Sequence, residues 1–513
     1  MRAGIIRICV IFPFILLSCK ARPVLDFLAL EGGADFEPER ALVEEALKDA
    51  SALESLGLRL FDPETTGQGK KKNEPGIIIS FHSSWEFEKA WGDLLLSRSW
   101  YTPREHCLAG RRDTSLEACI EGRETLIPLE GLEPPCIALK VGGLAIGDEN
   151  YPLVKTVGIA IKEVGSGKVA QRRLEKIPGL ENLLREKIKP LGEKPDLVWI
   201  AAAGDMMLGR GAQDILFREG ARGVFGKTGE ILAKSDIRLV NFEGTLTSRN
   251  NKAEKTFTFS FNPKIAVALK DAGIDAVLFA NNHAFDFGRE GFLETLSHLE
   301  NAGIVSLGAG RNQAAAAEPW VFRKGNFTAR VFGLASFYKE VSGWDGMDAV
   351  AGQERAGFLH ASRGGGELIK PRFSQDDGLD IVLVHGGDEW SAGPDRKTRL
   401  LFSDLVNSGA DLVIGSHPHI VQGFEWIEGK PVFWSLGNFV FAGMENTGGG
   451  DRGLLVSLGY WGSRLVYLEP HALALSGPKT EIAGEEGLAV FYERSRELYR
   501  SGEYANMETG DEE

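Results

Sequence analysis

The chain has 513 residues, enough for two or more domains, each with a sizeable core. With 43% hydrophobic and 25% charged residues it has the composition of an ordinary globular protein. A formal net charge of -14 argues against a general nucleic-acid binder, which needs a basic face to meet phosphates.

The first element reads as an address. Arg2 and Arg7 lead into an apolar run over residues 8–17, too short to span a bilayer comfortably. The run ends Leu16-Leu17-Ser18-Cys19, which resembles a bacterial lipoprotein lipobox. That resemblance implies a signal peptide over residues 1–18 and acylation of Cys19. The mature protein would be held to a membrane by a lipid anchor, at the cell envelope outside the cytoplasm. Lys20 leaves the choice between inner and outer membrane open. Cys107, Cys119 and Cys136 allow at most one disulfide among themselves and lack metal-ligand spacing, so they read as structural.

Residues 19–195 form a mixed α/β domain with its linker. The spacing predicts an amphipathic helix over 37–56, a charged loop over 70–76, strands over 77–81 and 156–161, and a helix over 180–189. The pattern is faintly similar to a periplasmic solute-binding half-domain, without a motif that carries the likeness. Pro190-Leu191-Gly192-Glu193-Lys194-Pro195 is the expected linker.

From residue 196 short apolar runs alternate with helical stretches, the rhythm of an α/β domain. Strands are expected over 197–203, 237–240, 276–280, 304–307, 381–384, 412–414, 432–436 and 454–460, and helices over 263–272 and 290–302. This domain is expected to end near 470, with 471–513 as a C-terminal extension whose acidic end frays.

Five of these strands run into polar clusters. They are Gly204-Asp205-Met206-Met207-Leu208-Gly209-Arg210, Asn241-Phe242-Glu243-Gly244, Asn281-Asn282-His283-Ala284-Phe285-Asp286, His385-Gly386-Gly387-Asp388-Glu389 and Gly415-Ser416-His417-Pro418-His419. In open α/β sheets ligands gather beyond the carboxyl ends of the strands. Carboxylate, carboxamide and imidazole donors suit one or two divalent ions such as Mn, Zn, Fe or Mg. Pro418 is expected to hold its segment extended, so that alternation points His417 and His419 the same way. Each residue also has a plainer reading. Asp205 could cap a helix, Asn281 and Asn282 could form turns, Glu243 could be a solvated loop acid and His385 a core histidine.

Together with Ser435-Leu436-Gly437-Asn438-Phe439, these clusters resemble the CapA-type capsule-biosynthesis proteins, a branch of the calcineurin-like metallophosphoesterases associated with poly-gamma-glutamate. The resemblance covers residues 197–468. It implies a metallophosphoesterase-like four-layer α/β/β/α sandwich with a metal centre at one edge. In it Asp205 and His419 would hold one ion, Asn282, His385 and His417 another, and Glu243 would bridge them. His283 would be the general acid and Asp286 its orienting partner. Arg210 and Glu389 would meet substrate. Met207 stands where common metallophosphoesterases carry a histidine, and Glu243 where they carry aspartate.

Two functions follow as expectations. One is a metal-dependent hydrolase or transferase acting on an anionic polymer or phosphoester in capsule or poly-gamma-glutamate-type biosynthesis, alongside other capsule-synthesis proteins. The alternative is a non-catalytic metal-binding or scaffold lipoprotein that captures a ligand for envelope polymer assembly.

Overall fold

The computed structural model describes residues 6–11, 25–31, 37–48, 59–60, 77–85, 94–106, 113–121, 123–134, 136–141, 143–163, 177–188, 194–340, 342–374, 378–444 and 446–508. The lipobox, including Cys19, and most of the expected linker lie outside them. The chain divides into two compact units. The first comprises residues 1–104, 113–131 and 140–195, the second residues 105–112, 132–139 and 196–513.

The first unit is built on a mixed sheet. Its strands lie in the order Ile6–Ile11, Leu25–Glu31, Ile77–Trp85, Val154–Glu163, Leu94–His106 and Leu126–Pro128. Ile6–Ile11 is an edge strand paired antiparallel with Leu25–Glu31. The helix expected over 37–56 is present as Glu37–Ala46, with residues 49–58 outside the described set. It packs against a second helix, Ile177–Lys187, with Val43, Leu47, Leu180 and Leu184 buried. Among the described residues, no helix is long and apolar enough to cross a membrane.

The second unit contains two larger sheets. In chain order the strands are β1 (Val198–Met207), β2 (Ile237–Phe242), β3 (Ala276–Leu278), β4 (Val305–Leu307), β5 (Trp320–Lys324), β6 (Phe327–Phe337) and β7 (Leu379–Gly387). They continue as β8 (Leu412–Ser416), β9 (Val421–Ile427), β10 (Lys430–Leu436), β11 (Asn438–Phe441), β12 (Arg452–Trp461), β13 (Arg464–Ser476) and β14 (Lys479–Ile482). One sheet runs β4-β3-β2-β1-β12-β13-β14, with β11 also paired to β1. The other runs β5-β6-β7-β8-β10-β9. Strands β1 to β4 are mutually parallel, as are β6, β7, β8 and β10.

Parallel strands are covered on both faces and so read as continuous apolar runs. Strand β7 illustrates this. Ile381 and Leu383 enter the same core as Ile200, Leu239 and Val277 of the other sheet. Their alternating neighbours Val382 and Val384 join a second core with Phe402 and Leu405 of the helix Arg396–Asn407. The two sheets come close at Gly333 in β6, where a Cβ atom would lie 2.5 Å from the backbone of Leu307 in β4. Only glycine fits there.

Three helices complete the frame around the site. In α1 (Gly288–Asn301), Phe292 stacks on Phe279 with ring centroids 5.2 Å apart. In α2 (Arg396–Asn407), capped by the Asp395 carboxylate, Phe402 stacks on Trp434 at 5.0 Å. Helix α3 (Ala489–Glu508) packs on β9, and the Ser495 hydroxyl accepts the Phe424 backbone N–H. Residues 471–508 are thus integral to the second unit, because β13 runs unbroken through 470 and β14 extends its sheet.

Candidate metal centre

Strand register gathers the polar clusters at one edge. Asp205 in β1 lies opposite Asn241 in β2 and Asn438 in β11, and Asn241 lies opposite Leu278 at the end of β3. In the other sheet His385 pairs with Ser416, the last residue of β8. Parallel strands end together, so residues distant in sequence meet where the chain leaves the sheets.

Asp205, Glu243 and His385 are buried, and each offers a ligand atom within 4.8 Å of the other two. The Asp205 carboxylate accepts the backbone N–H of His417 at 3.2 Å and lies 3.2 Å from His419 Nδ1. His385 Nε2 lies 2.9 Å from Asn282 Oδ1, and the His385 and His417 rings are 4.6 Å apart. Asn282 Nδ2 donates to Glu340 at 3.1 Å, so its carbonyl oxygen is the atom turned toward His385. All six residues expected as ligands are buried here.

The segment bearing the two histidines is not extended. His417 has φ +100° and His419 has φ +60°. Both are in a region that residues other than glycine rarely adopt, and such strain concentrates at functional sites. The Asp205 carboxylate and the buried Asn438 amide hold the turn. Asn438 Oδ1 lies 3.0 Å from His419 Nδ1, and Asn438 Nδ2 donates to the His419 and Gly450 carbonyls. Strand alternation was the wrong rule for this segment because Pro418 fixes only its own φ.

The donor set fits a divalent cation on two observations. Glu243 Oε2 and His417 Nδ1 are buried without a hydrogen-bond partner, and such groups are costly unless something pairs with them. The charges agree. Burial, reinforced by neighbouring histidines, holds His385 and His417 well below the ordinary imidazole value, so both present lone pairs. Burial and the Asp205 carboxylate push Glu243 well above the ordinary carboxylate range. Burial opposes charge on His419 too, but Glu243 and Asp205 together raise it to about 10. Two carboxylates in one dry space call for positive charge.

The Asn241 side chain, quoted with its motif but not expected to act, lies at the centre of this set. Its Nδ2 donates to Asp205 at 2.8 Å and to Glu243 at 3.0 Å, and is 3.1 Å from His385 Nδ1. Asn281 fixes that orientation by donating to Asn241 Oδ1 at 3.1 Å, and its own oxygen accepts the His283 backbone N–H. The Asn-Phe-Glu and Asn-Asn-His clusters contained both signals. Sequence alone does not say which asparagine would face an ion.

A cavity of about 400 Å³ opens over the centre, lined in part by Asn282, His283, His417, Tyr338, Lys339 and Glu389. His283 Nδ1 lies 2.8 Å from Asp286, while its Nε2 faces Glu243 at 4.0 Å. Asp286 also accepts from Lys255 Nζ at 2.7 Å and from the Phe259 backbone at 2.7 Å. The Lys255 side chain is fully buried and donates to the Asn282 carbonyl and to Glu340, with its ammonium 4.3 Å from the Trp344 ring centroid. No periodicity marks Lys255, which sits in an irregular polar stretch. Arg210 is exposed beside the centre, donates to the Ala442 carbonyl at 2.7 Å and lies 5.9 Å from the Phe259 ring centroid. It does not line the cavity, whereas Glu389 does.

The fold and site define a two-domain α/β protein whose second unit carries an Asp–Glu–His metal-binding triad of the calcineurin-like kind. Residues 199–443 match the family described as bacterial capsule synthesis protein PGA_cap. It is 31% identical over 252 residues to the PGA biosynthesis protein CapA of Bacillus subtilis, covering 48% of this chain and 64% of that protein. It is 32% identical over 246 residues to the capsule biosynthesis protein CapA of Bacillus anthracis, covering 46% and 58%. A probable polyglutamine synthesis accessory protein of Mycobacterium tuberculosis is 28% identical over 287 residues, covering 48% and 75%. The chain thus spans less than two thirds of the length of either Bacillus relative.

Proposed function

We propose that the second unit is a metal-dependent hydrolase or transferase on a four-layer α/β/β/α sandwich. It would serve capsule or poly-gamma-glutamate-type polymer biosynthesis at the cell envelope, tethered through acylated Cys19. The single observation that carries the catalytic reading is the buried Asp205–Glu243–His385 triad with Glu243 Oε2 and His417 Nδ1 left without partners. Asn282, His417 and His419 complete the donor set. One or two divalent ions held there would supply Lewis acidity toward water and toward a carbonyl or phosphoryl oxygen.

The chain's own residues supply the rest. His283 turns Nε2 toward Glu243 and the cavity while Asp286 accepts from Nδ1–H, so the ring in its doubly protonated form would deliver the Nε2 proton to a departing group. Lys255 lies between Asp286 and Glu340, 2.7 Å and 3.0 Å away, and holds both carboxylates in place. Glu389 forms a polar wall of the substrate cavity. Arg210, exposed one ring away behind Phe259, would meet an anionic polymer beyond the cavity.

The test is the divalent-metal content of the purified chain from Ala21 onward, beside a His417→Ala, His419→Ala double variant. One or two ions per chain, lost from a variant that keeps its circular dichroism, would establish the centre. Turnover of phosphoesters or gamma-glutamyl polymers by the loaded protein would then establish the reaction. No metal after reconstitution would overturn the catalytic reading in favour of a scaffold.

A further inference from the structure

A second cavity, of about 480 Å³, lies in the second unit between the segment after His419, the glycine-rich turn before β12, and helix α3. Its volume is in the range of small-ligand pockets. Leu454, Val490 and Phe491 give it an apolar floor, with Leu454 and Phe491 almost fully buried. Arg452 and Arg494 line it as well, and among the described residues neither takes part in an ion pair. Arg494 donates to the Val421 carbonyl. Burial holds its guanidinium below the ordinary arginine value, Arg452 adds to the depression, and Glu493 and Glu497 oppose it. Asp451 contributes one carboxylate to the wall.

We propose that this cavity is a binding site for a small amphipathic carboxylate, with the carboxylate on Arg452 and Arg494 and a short aliphatic tail on the apolar floor. Two guanidinium groups line this one cavity, and among the described residues no acid is paired to either, which favours an anion between them. Asp451 sets the limit on charge, since it repels a compact dianion more than a monoanion. The apolar floor favours an ion with a tail over one without. The site is separate from the metal centre but tied to it. Asn438 joins His419 to the Gly450 carbonyl, and Arg494 holds Val421, two residues after His419. The proposal does not rest on the catalytic reading and is tested on metal-free protein.

The test is calorimetric titration of the chelated chain from Ala21 onward with pentanoate, pentanol and inorganic phosphate. Pentanoate should bind saturably at one per chain, with pentanol and phosphate at least tenfold weaker. Arg452→Gln, at an exposed position, should weaken pentanoate about tenfold, the loss expected for a charge-assisted contact. Val490→Glu should abolish binding by putting a like charge on the floor, while the melting temperature reports that the fold is kept. No saturable binding up to about 50 mM, far above the range expected of a useful small-ligand site, would overturn the proposal. So would phosphate binding more tightly than pentanoate, or affinity unchanged in both variants.

Discussion

At the scale of single residues, the chemistry turns on buried groups whose charge states are set by one another. His385 and His417 are neutral in the fold, chiefly through burial, while in the unfolded chain they titrate near 6.5. Their folded values are depressed, so stability is fully present above about 6.5 and is lost as pH falls toward the folded values. Chelated protein should therefore lose up to about 1.4 kcal/mol per pH unit for each imidazole below that point. Denaturant unfolding between pH 8 and pH 5 checks this, and a His417→Gln variant should show the shallower slope; equal slopes would sink the assignment. Glu243 has the opposite sign, since a raised carboxylate costs stability as pH rises through its folded value. Glu243→Gln should accordingly stabilise the chelated protein at neutral pH while abolishing its metal binding. For His283, the expected outcome of His283→Gln is a loss of turnover of about 10²–10⁴-fold, the usual contribution of a positioned acid. Metal content should be unchanged, which separates proton delivery from ligation.

At the scale of elements, the site depends on a stretch without regular structure. Lys255, carried between β2 and β3, touches Asp286, Glu340 and the Asn282 carbonyl at once. It thereby holds a proposed acid's partner and a proposed ligand together. Lys255→Met would take the shared ammonium from one buried and one half-buried carboxylate, and breaking a buried ion pair costs about 3–5 kcal/mol. Thermal unfolding should show a large drop, and any residual folded protein should bind metal more weakly. Helix and strand positions followed from apolar period, and α1 and the helix Ile265–Asp271 lie within two residues of the bounds expected. Strands β5, β6, β9, β11, β13 and β14 were not anticipated. Phe327–Phe337 mixes Thr, Arg, Gly and Ser among its apolar residues, and its Arg330 is matched by Asp380 of β7 at 2.7 Å. A charge paired across strands looks like a loop residue until its partner is known.

At the scale of the whole molecule, the two units are not cut at one point in sequence. Residues 132–139 count with the second unit, and Ile137 is buried in its core. A fragment beginning at residue 196 lacks that packing, and losing one buried Ile side chain amounts to about 2–5 kcal/mol. The fragment should still bind metal at the stoichiometry of the full chain, because every donor lies between Asp205 and His419, yet melt at a lower temperature. Metal analysis and calorimetry on both proteins decide this. Loss of metal from a folded fragment would mean that the first unit contributes to the centre.

The sequence by itself determined the α/β character of the second unit, the family it resembles, and which residue types line the edge. These rest on local signals, namely apolar runs ending in Asp, Glu, Asn and His beside glycine, which survive without a partner in view. Only the tertiary structure decided which of those side chains meet. Asp205 and His385, assigned to different ions by resemblance, share one triad around Glu243, because the two sheets bring the ends of β1 and β7 to the same edge. Asn241, Asn281, Asn438 and Lys255 acquire their roles only there, since a hydrogen bond between residues far apart in sequence leaves no trace in either one's neighbours.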